Sequence, residues 1–143
     1  MHVMHILKLK GSSAIETISP DASVGDAAAR LAEKRIGALV VSTKGSDIAG
    51  IISERDVVRA LARKAGDCLT MTVSTLMTGM VETCAPTDTA NSVLERMTAG
   101  RFRHMPVVED GKMVGLVSIG DVVKARITEI EQENAAMAEM LSG

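Results

Sequence analysis

The sequence predicts an α+β protein (mixed α/β) built from one β-α-β-β-α unit written twice, and three observations lead there. The chain superposes on itself at an offset of 66 residues. In each copy a Ser or Thr precedes apolar residues at helical spacing. In each copy, too, two short apolar runs flank a glycine-bearing turn and lead into a second helix.

At that offset Ile15-Glu16-Thr17 falls on Val81-Glu82-Thr83 and Pro20 on Pro86. Arg30, Arg35, Val41 and Gly45 fall on Arg96, Arg101, Val107 and Gly111. One deletion in the next loop changes the offset to 65, after which Gly50, Ser53 and Asp56-Val57-Val58 fall on Gly115, Ser118 and Asp121-Val122-Val123. A single gap at a turn is what a true duplication tolerates. Two copies are too few for a solenoid, which needs about three.

Each copy opens on an extended piece, residues 15–18 or 81–84, closed by a proline-containing turn. Ser23 and Thr89 then serve as N-caps. Val24, Ala27, Ala28 and Leu31 mark the apolar face of the first helix, Val93, Leu94 and Met97 that of its counterpart. Strands follow at 38–41 and 105–108, then at 48–52 and 113–117, with Pro106 suiting an edge strand because it lacks an N–H. The closing helices run over 56–64 and from 121 to near 130. A unit of about 60 residues buries too little surface alone, so two units sharing a core are expected. The organisation read from this is a first motif with an N-terminal segment at 1–65, a connector at 66–77, a second motif at 78–126 and a C-terminal amphipathic helix at 127–143. In that last stretch Ile127, Ile130, Ala135, Met137 and Met140 or Leu141 alternate with Glu129, Glu131, Glu133 and Glu139. Its apolar stripe is most easily buried against a second subunit, so a homodimer is expected, with a bound client protein as the competing occupant.

Composition narrows the function classes. A net charge of −2 offers no basic field for nucleic acid, and Phe102 is the sole aromatic where a single-strand binder wants stacking platforms. Two cysteines, Cys68 and Cys84, make neither a disulfide framework nor a CxxC site, which fits a reducing cytoplasm. No run approaches the roughly 18–20 apolar residues that span a bilayer, so no membrane is expected.

Chemistry concentrates where a strand enters a helix: Gly50-Ile51-Ile52-Ser53-Glu54-Arg55-Asp56 and Gly115-Leu116-Val117-Ser118-Ile119-Gly120-Asp121. Ser-x-x-Asp is close to a capping box, which is a purely structural device. The same geometry also serves a ligand. A helix N-terminus favours phosphate, a Ser hydroxyl can donate to it, and an Asp carboxylate can accept both hydroxyls of a ribose. His104 lies between Arg101, Arg103 and Met105, where a phosphate contact and a hydrogen-bonded structural histidine fit equally. His2-x-x-His5 has the spacing of a helical metal pair but no third ligand, so a frayed surface terminus and no metal site are expected. Neither a nucleophile–base pair nor a phosphate-cradling glycine loop is present in the sequence, which argues against an enzyme.

The duplicated β-α-β-β-α order and Gly-hydrophobic-x-Ser-x-x-Asp closing each copy resemble the cystathionine-β-synthase-type (CBS) domain pair, or Bateman module, from about Ser12 to Lys124. Arg101-Phe102-Arg103-His104-Met105-Pro106-Val107-Val108 and Val117-Ser118-Ile119-Gly120-Asp121 resemble the small bacterial stand-alone members. The resemblance implies two clefts able to hold AMP, ADP, ATP, NAD or a relative, with no required cofactor. It implies that Asp56 and Asp121 hold ribose, that Ser53 and Ser118 face phosphate, and that Thr17 and Thr83 border the base. Ile36, Gly37, Ala38 and Leu39, and Phe102 to Met105, would border it too. Arg55 has no counterpart cation, since Gly120 takes its place, so two sites of unequal charge are expected. The module would regulate through a client or its own oligomer; a structural interaction module with vestigial clefts is the alternative.

Overall fold

The computed structural model describes residues 1–11 and 15–142. Ser12, where the resemblance was taken to begin, lies outside the described residues. Two compact units emerge, and they do not follow chain order.

The first copy folds around a three-stranded sheet. β1 (Thr17–Ile18) pairs in parallel with β2 (Ala38–Val41), which pairs antiparallel with β3 (Gly50–Ser53). Between β1 and β2 runs α2 (Val24–Lys34), numbered after an N-terminal helix described below. Its cap is the expected one: Ser23 accepts a hydrogen bond from the Asp26 amide. The β2–β3 loop is tied by Asp47, whose carboxylate accepts from the Ser42 and Thr43 hydroxyls at 2.7 Å each and from the Lys44 amide. These donors, Ser42 first, hold the Asp47 carboxyl far below the usual carboxylate range. α3 (Glu54–Lys64) follows β3 directly, then a 3₁₀ turn (Ala65–Thr70) and the short α4 (Val73–Leu76). Ile18, Val24, Leu31, Leu39, Val41, Ile52, Val57 and Val73 form one buried cluster, so the residues expected to be a connector supply part of this core. Thr78 adds a bridge to Ile51, and the Thr78 carbonyl lies 2.6 Å from where a Cβ on Gly50 would stand. That position is closed to any side chain.

The second copy carries α5 (Ala90–Gly100), capped by Thr89 on the Ser92 amide, a two-stranded sheet of β4 (His104–Glu109) and β5 (Lys112–Ser118), and α6 (Ile119–Ser142). The expected opening strand at 81–84 is reduced to one bridge, Cys84 to Val107. The Thr83 carbonyl, on the side away from β4, accepts from the Arg96 guanidinium at 2.6 Å. Pro106 sits within β4, its carbonyl accepting from the Cys84 amide, so its missing N–H falls on the side that carries only that bridge. Burial pushes the Cys84 thiol up to about 11, and the nearby Asp88 charge adds to it.

The N-terminal residues were expected to belong with the first copy and to fray. They form α1 (Val3–Lys10), which packs with the second copy. Val3 and Ile6 are buried beside Val93, Met97, Val117 and Val122, and Leu7 lies against Gly115. His2 and His5 remain exposed, as expected of surface residues. α6 is a single helix of 24 residues rather than two pieces.

Candidate functional site

The candidate residues fall into two sets, one within each unit. In the first copy the end of β3 becomes the N-terminus of α3. Ser53 is its N-cap, and the capping box is complete: Asp56 Oδ2 accepts from the Ser53 amide at 2.8 Å and from its hydroxyl at 3.0 Å. Ala38 is the register partner of Ser53, and the Gly37 carbonyl accepts from the Glu54 amide at 3.0 Å. Thr17 pairs with Val40, two residues along β2 from Ala38. Sheet register therefore gathers Thr17, Gly37, Ala38, Ser53 and Asp56 at one end of one sheet. Ile36 is half-buried there, Ala38 is buried on the sheet face opposite Leu39 and Val41, and Arg55 is exposed.

A cavity of about 390 Å³ opens beside Asp56. Arg59, Arg63 and Lys64 of α3 supply its cations, Thr75 and Leu76 its far wall. The i, i+3, i+7 spacing of Asp56, Arg59 and Arg63 aligns them on one helix face. The sequence motifs do not single out Arg59, Arg63 and Lys64; only their common face with Asp56 could have done so. Among the described residues Asp56 makes no ion pair, and its Oδ1 carries no hydrogen bond.

The second copy repeats the frame. The Ser118 amide donates to Asp121 Oδ2 at 2.9 Å, the Asp121 amide donates to the Ser118 hydroxyl at 3.1 Å, and the Arg103 carbonyl accepts from the Ile119 amide at 2.8 Å as Gly37 does from Glu54. The acid differs. Lys10 of α1 places its ammonium 2.9 Å from Asp121 Oδ2 and also donates to the Leu116 carbonyl at 2.9 Å. Burial pushes the Asp121 carboxyl up, but the Ser118 amide and the Lys10 ammonium outweigh it and leave it below the ordinary value. Met105 is fully buried in the core, Thr83 and His104 are half-buried, and Arg101 and Arg103 are exposed. Lys10 was not among the residues the sequence singled out.

Arg35 and Arg101 hold corresponding places with the same backbone, left-handed at φ 54 and φ 57, one residue beyond α2 and α5. Left-handed geometry costs a non-glycine residue roughly 1–2 kcal/mol, and glycine usually takes this place. Both copies put arginine there, immediately before the segment that meets the Ser-x-x-Asp helix.

Comparison with known proteins agrees with this frame. The family described as CBS domain matches residues 11–63 and 73–128. The fold is similar to the crystal structure of a CBS-domain containing protein from Agrobacterium tumefaciens, at 43% identity and a TM-score of 0.84, covering 88% of this chain and 99% of that one. A CBS domain protein from Pyrobaculum aerophilum complexed with AMP is similar at 25% identity and a TM-score of 0.75, over 85% and 89% of the two chains. A CBS domain pair complexed with 5′-methylthioadenosine and S-adenosyl-L-methionine is similar at 25% identity and a TM-score of 0.78, over 90% and 98%. With one match on each repeat and this fold shared across most of its length, the chain belongs to the CBS-domain family.

Proposed function

We propose that the chain is a regulatory module that binds an adenine nucleotide or related adenosine compound at Asp56 and does not transform it. The observation that carries this reading is the state of Asp56: one carboxylate oxygen is fixed by the capping box, and the other accepts no hydrogen bond among the described residues and stands beside a cationic cavity. A fixed acceptor suits a ribose diol, and Arg59, Arg63, Lys64 and the exposed Arg55 supply charge for phosphate. Thr17, Ile36, Gly37 and Ala38 would border the base from the sheet end. The adenosine ligands of the two solved relatives support the class of ligand; AMP, ADP, ATP and NAD are its candidates here. Occupancy would be read by a client protein or a second copy of the chain.

A second reading holds for the second copy. With Lys10 on Asp121, the set Thr83, Arg101, Arg103, His104, Met105, Ser118 and Asp121 acts in structure, and binding there is vestigial or conditional. Thermal shift and calorimetry with AMP, ATP, NAD and S-adenosyl-L-methionine test the proposal. A ligand at about 100 times its dissociation constant adds about 2.7 kcal/mol to stability. No shift with any of the four at millimolar concentration refutes ligand binding.

A further inference from the structure

The cations of α3 are arranged in a way that helix stability alone does not explain. Arg55, Arg59 and Arg63 stand at i, i+4 and i+8, and Lys64 follows them. Like charges four residues apart destabilise a helix. The helix dipole favours Arg63 and Lys64 in the last turn, but it opposes Arg55 in the first and does nothing for Arg59 at mid-helix. Among the described residues the side chains of Arg59, Arg63 and Lys64 make no ion pair or hydrogen bond. In α2 of the same unit, by contrast, Arg30 and Lys34 share the Glu16 carboxylate. All three unpaired cations border the cavity beside Asp56, whose other walls are Ala60, Met71, Thr75 and Leu76. Three cations thus face one carboxylate. The Thr75 hydroxyl already donates to the Thr72 carbonyl at 2.6 Å, which leaves the cations as the donors for a bound anion.

Position along the helix sets an order. At 1.5 Å per residue, Arg59 lies about 4.5 Å and Arg63 about 10.5 Å beyond Asp56 on the same face. We propose, on the reading that Asp56 holds a ribose, that this row selects an adenosine 5′-di- or triphosphate over AMP. Arg59 meets the first phosphate, and Arg63 with Lys64 meets those beyond it. A monophosphate ends at Arg59 and leaves the two outer cations facing water. A second phosphate gives Arg63 a charge-assisted pair, and its planar fork fits two phosphate oxygens at once. S-adenosyl-L-methionine puts a sulfonium and an ammonium where those phosphates would lie, so the same cations repel it.

Calorimetry on the full chain tests this with adenosine, AMP, ADP, ATP and S-adenosyl-L-methionine. ADP and ATP should bind at least about tenfold tighter than AMP, and adenosine and S-adenosyl-L-methionine more weakly than AMP. Arg63 is exposed, so Arg63→Gln should fold as the parent does by circular dichroism. It should weaken ADP and ATP about tenfold more than AMP, and Arg63→Lys should recover part of that loss. Inorganic pyrophosphate separates the cations from the ribose site. It should bind the parent and Asp56→Asn equally well, and Arg63→Gln about tenfold more weakly. AMP as tight as ADP, equal losses for AMP and ADP in Arg63→Gln, or pyrophosphate binding that ignores Arg63→Gln overturns the inference and leaves Asp56 as an adenosine site. No binding by any adenosine compound overturns the reading at Asp56 itself, and the inference falls with it.

Discussion

Lys10 Nζ and Asp121 Oδ2 stand 2.9 Å apart, and among the described residues no equivalent ion pair is made by Asp56, the residue that Asp121 repeats. A duplication began with two like sites, and a helix outside the repeat has satisfied one of them. The ammonium sits on the carboxylate that would accept a ribose, so a ligand at the second copy must displace it. Leu7 against Gly115 holds the same helix in place.

Lys10→Met keeps the length and apolar stem of the side chain and removes the charge. Calorimetry on the parent should give one adenosine ligand per chain, and on the variant a second site should appear. A stoichiometry that stays at one would contradict blocking by Lys10.

The same pair sets an acid response. Ionised Asp121 is bonded in the folded chain and its carboxyl lies below its ordinary value of 3.8. A depressed acid stabilises fully above the unfolded value and loses that contribution as pH falls through the folded one. Stability should therefore drop from about pH 5 downward, and Lys10→Met should drop less than the parent. Urea midpoints at several acid pH values measure this. Equal losses in both chains would remove the pair from the account.

Gly50 and Gly115 match in the repeat but are required for different reasons. A Cβ at Gly50 would meet the Thr78 carbonyl at 2.6 Å, which is backbone bonded to Ile51. At Gly115 it would meet the end of the Leu7 side chain at 2.6 Å, which can turn aside. Gly50→Ala should cost about 2–3 kcal/mol and Gly115→Ala about 1 kcal/mol. Chemical denaturation ranks them, and Leu7→Ala should relieve only the second.

Much of this was legible in the residues. The 66-residue offset, the Ser23 and Thr89 caps and the Ser-x-x-Asp boxes are local signals, and local geometry honours them. What was not legible is long-range. Val3, Ile6 and Leu7 look like a loose end because their partners lie more than 80 residues away, and nothing near Lys10 announces Asp121. The connector supplied Val73 to a core whose need for it cannot be read from its own few residues.

Asp56→Asn tests the central claim most directly. Asn keeps the size and most of the capping ability of Asp, so stability should fall by about 1 kcal/mol or less. Hydrogen bonds to a charged acceptor are worth roughly 1.5–3 kcal/mol, so adenosine-ligand affinity should fall about 10- to 100-fold in calorimetry. Asp121→Asn should leave the parent's single site nearly untouched. If the Asp56→Asn chain binds as tightly as the parent, this acid is a helix cap and the site is not at Asp56.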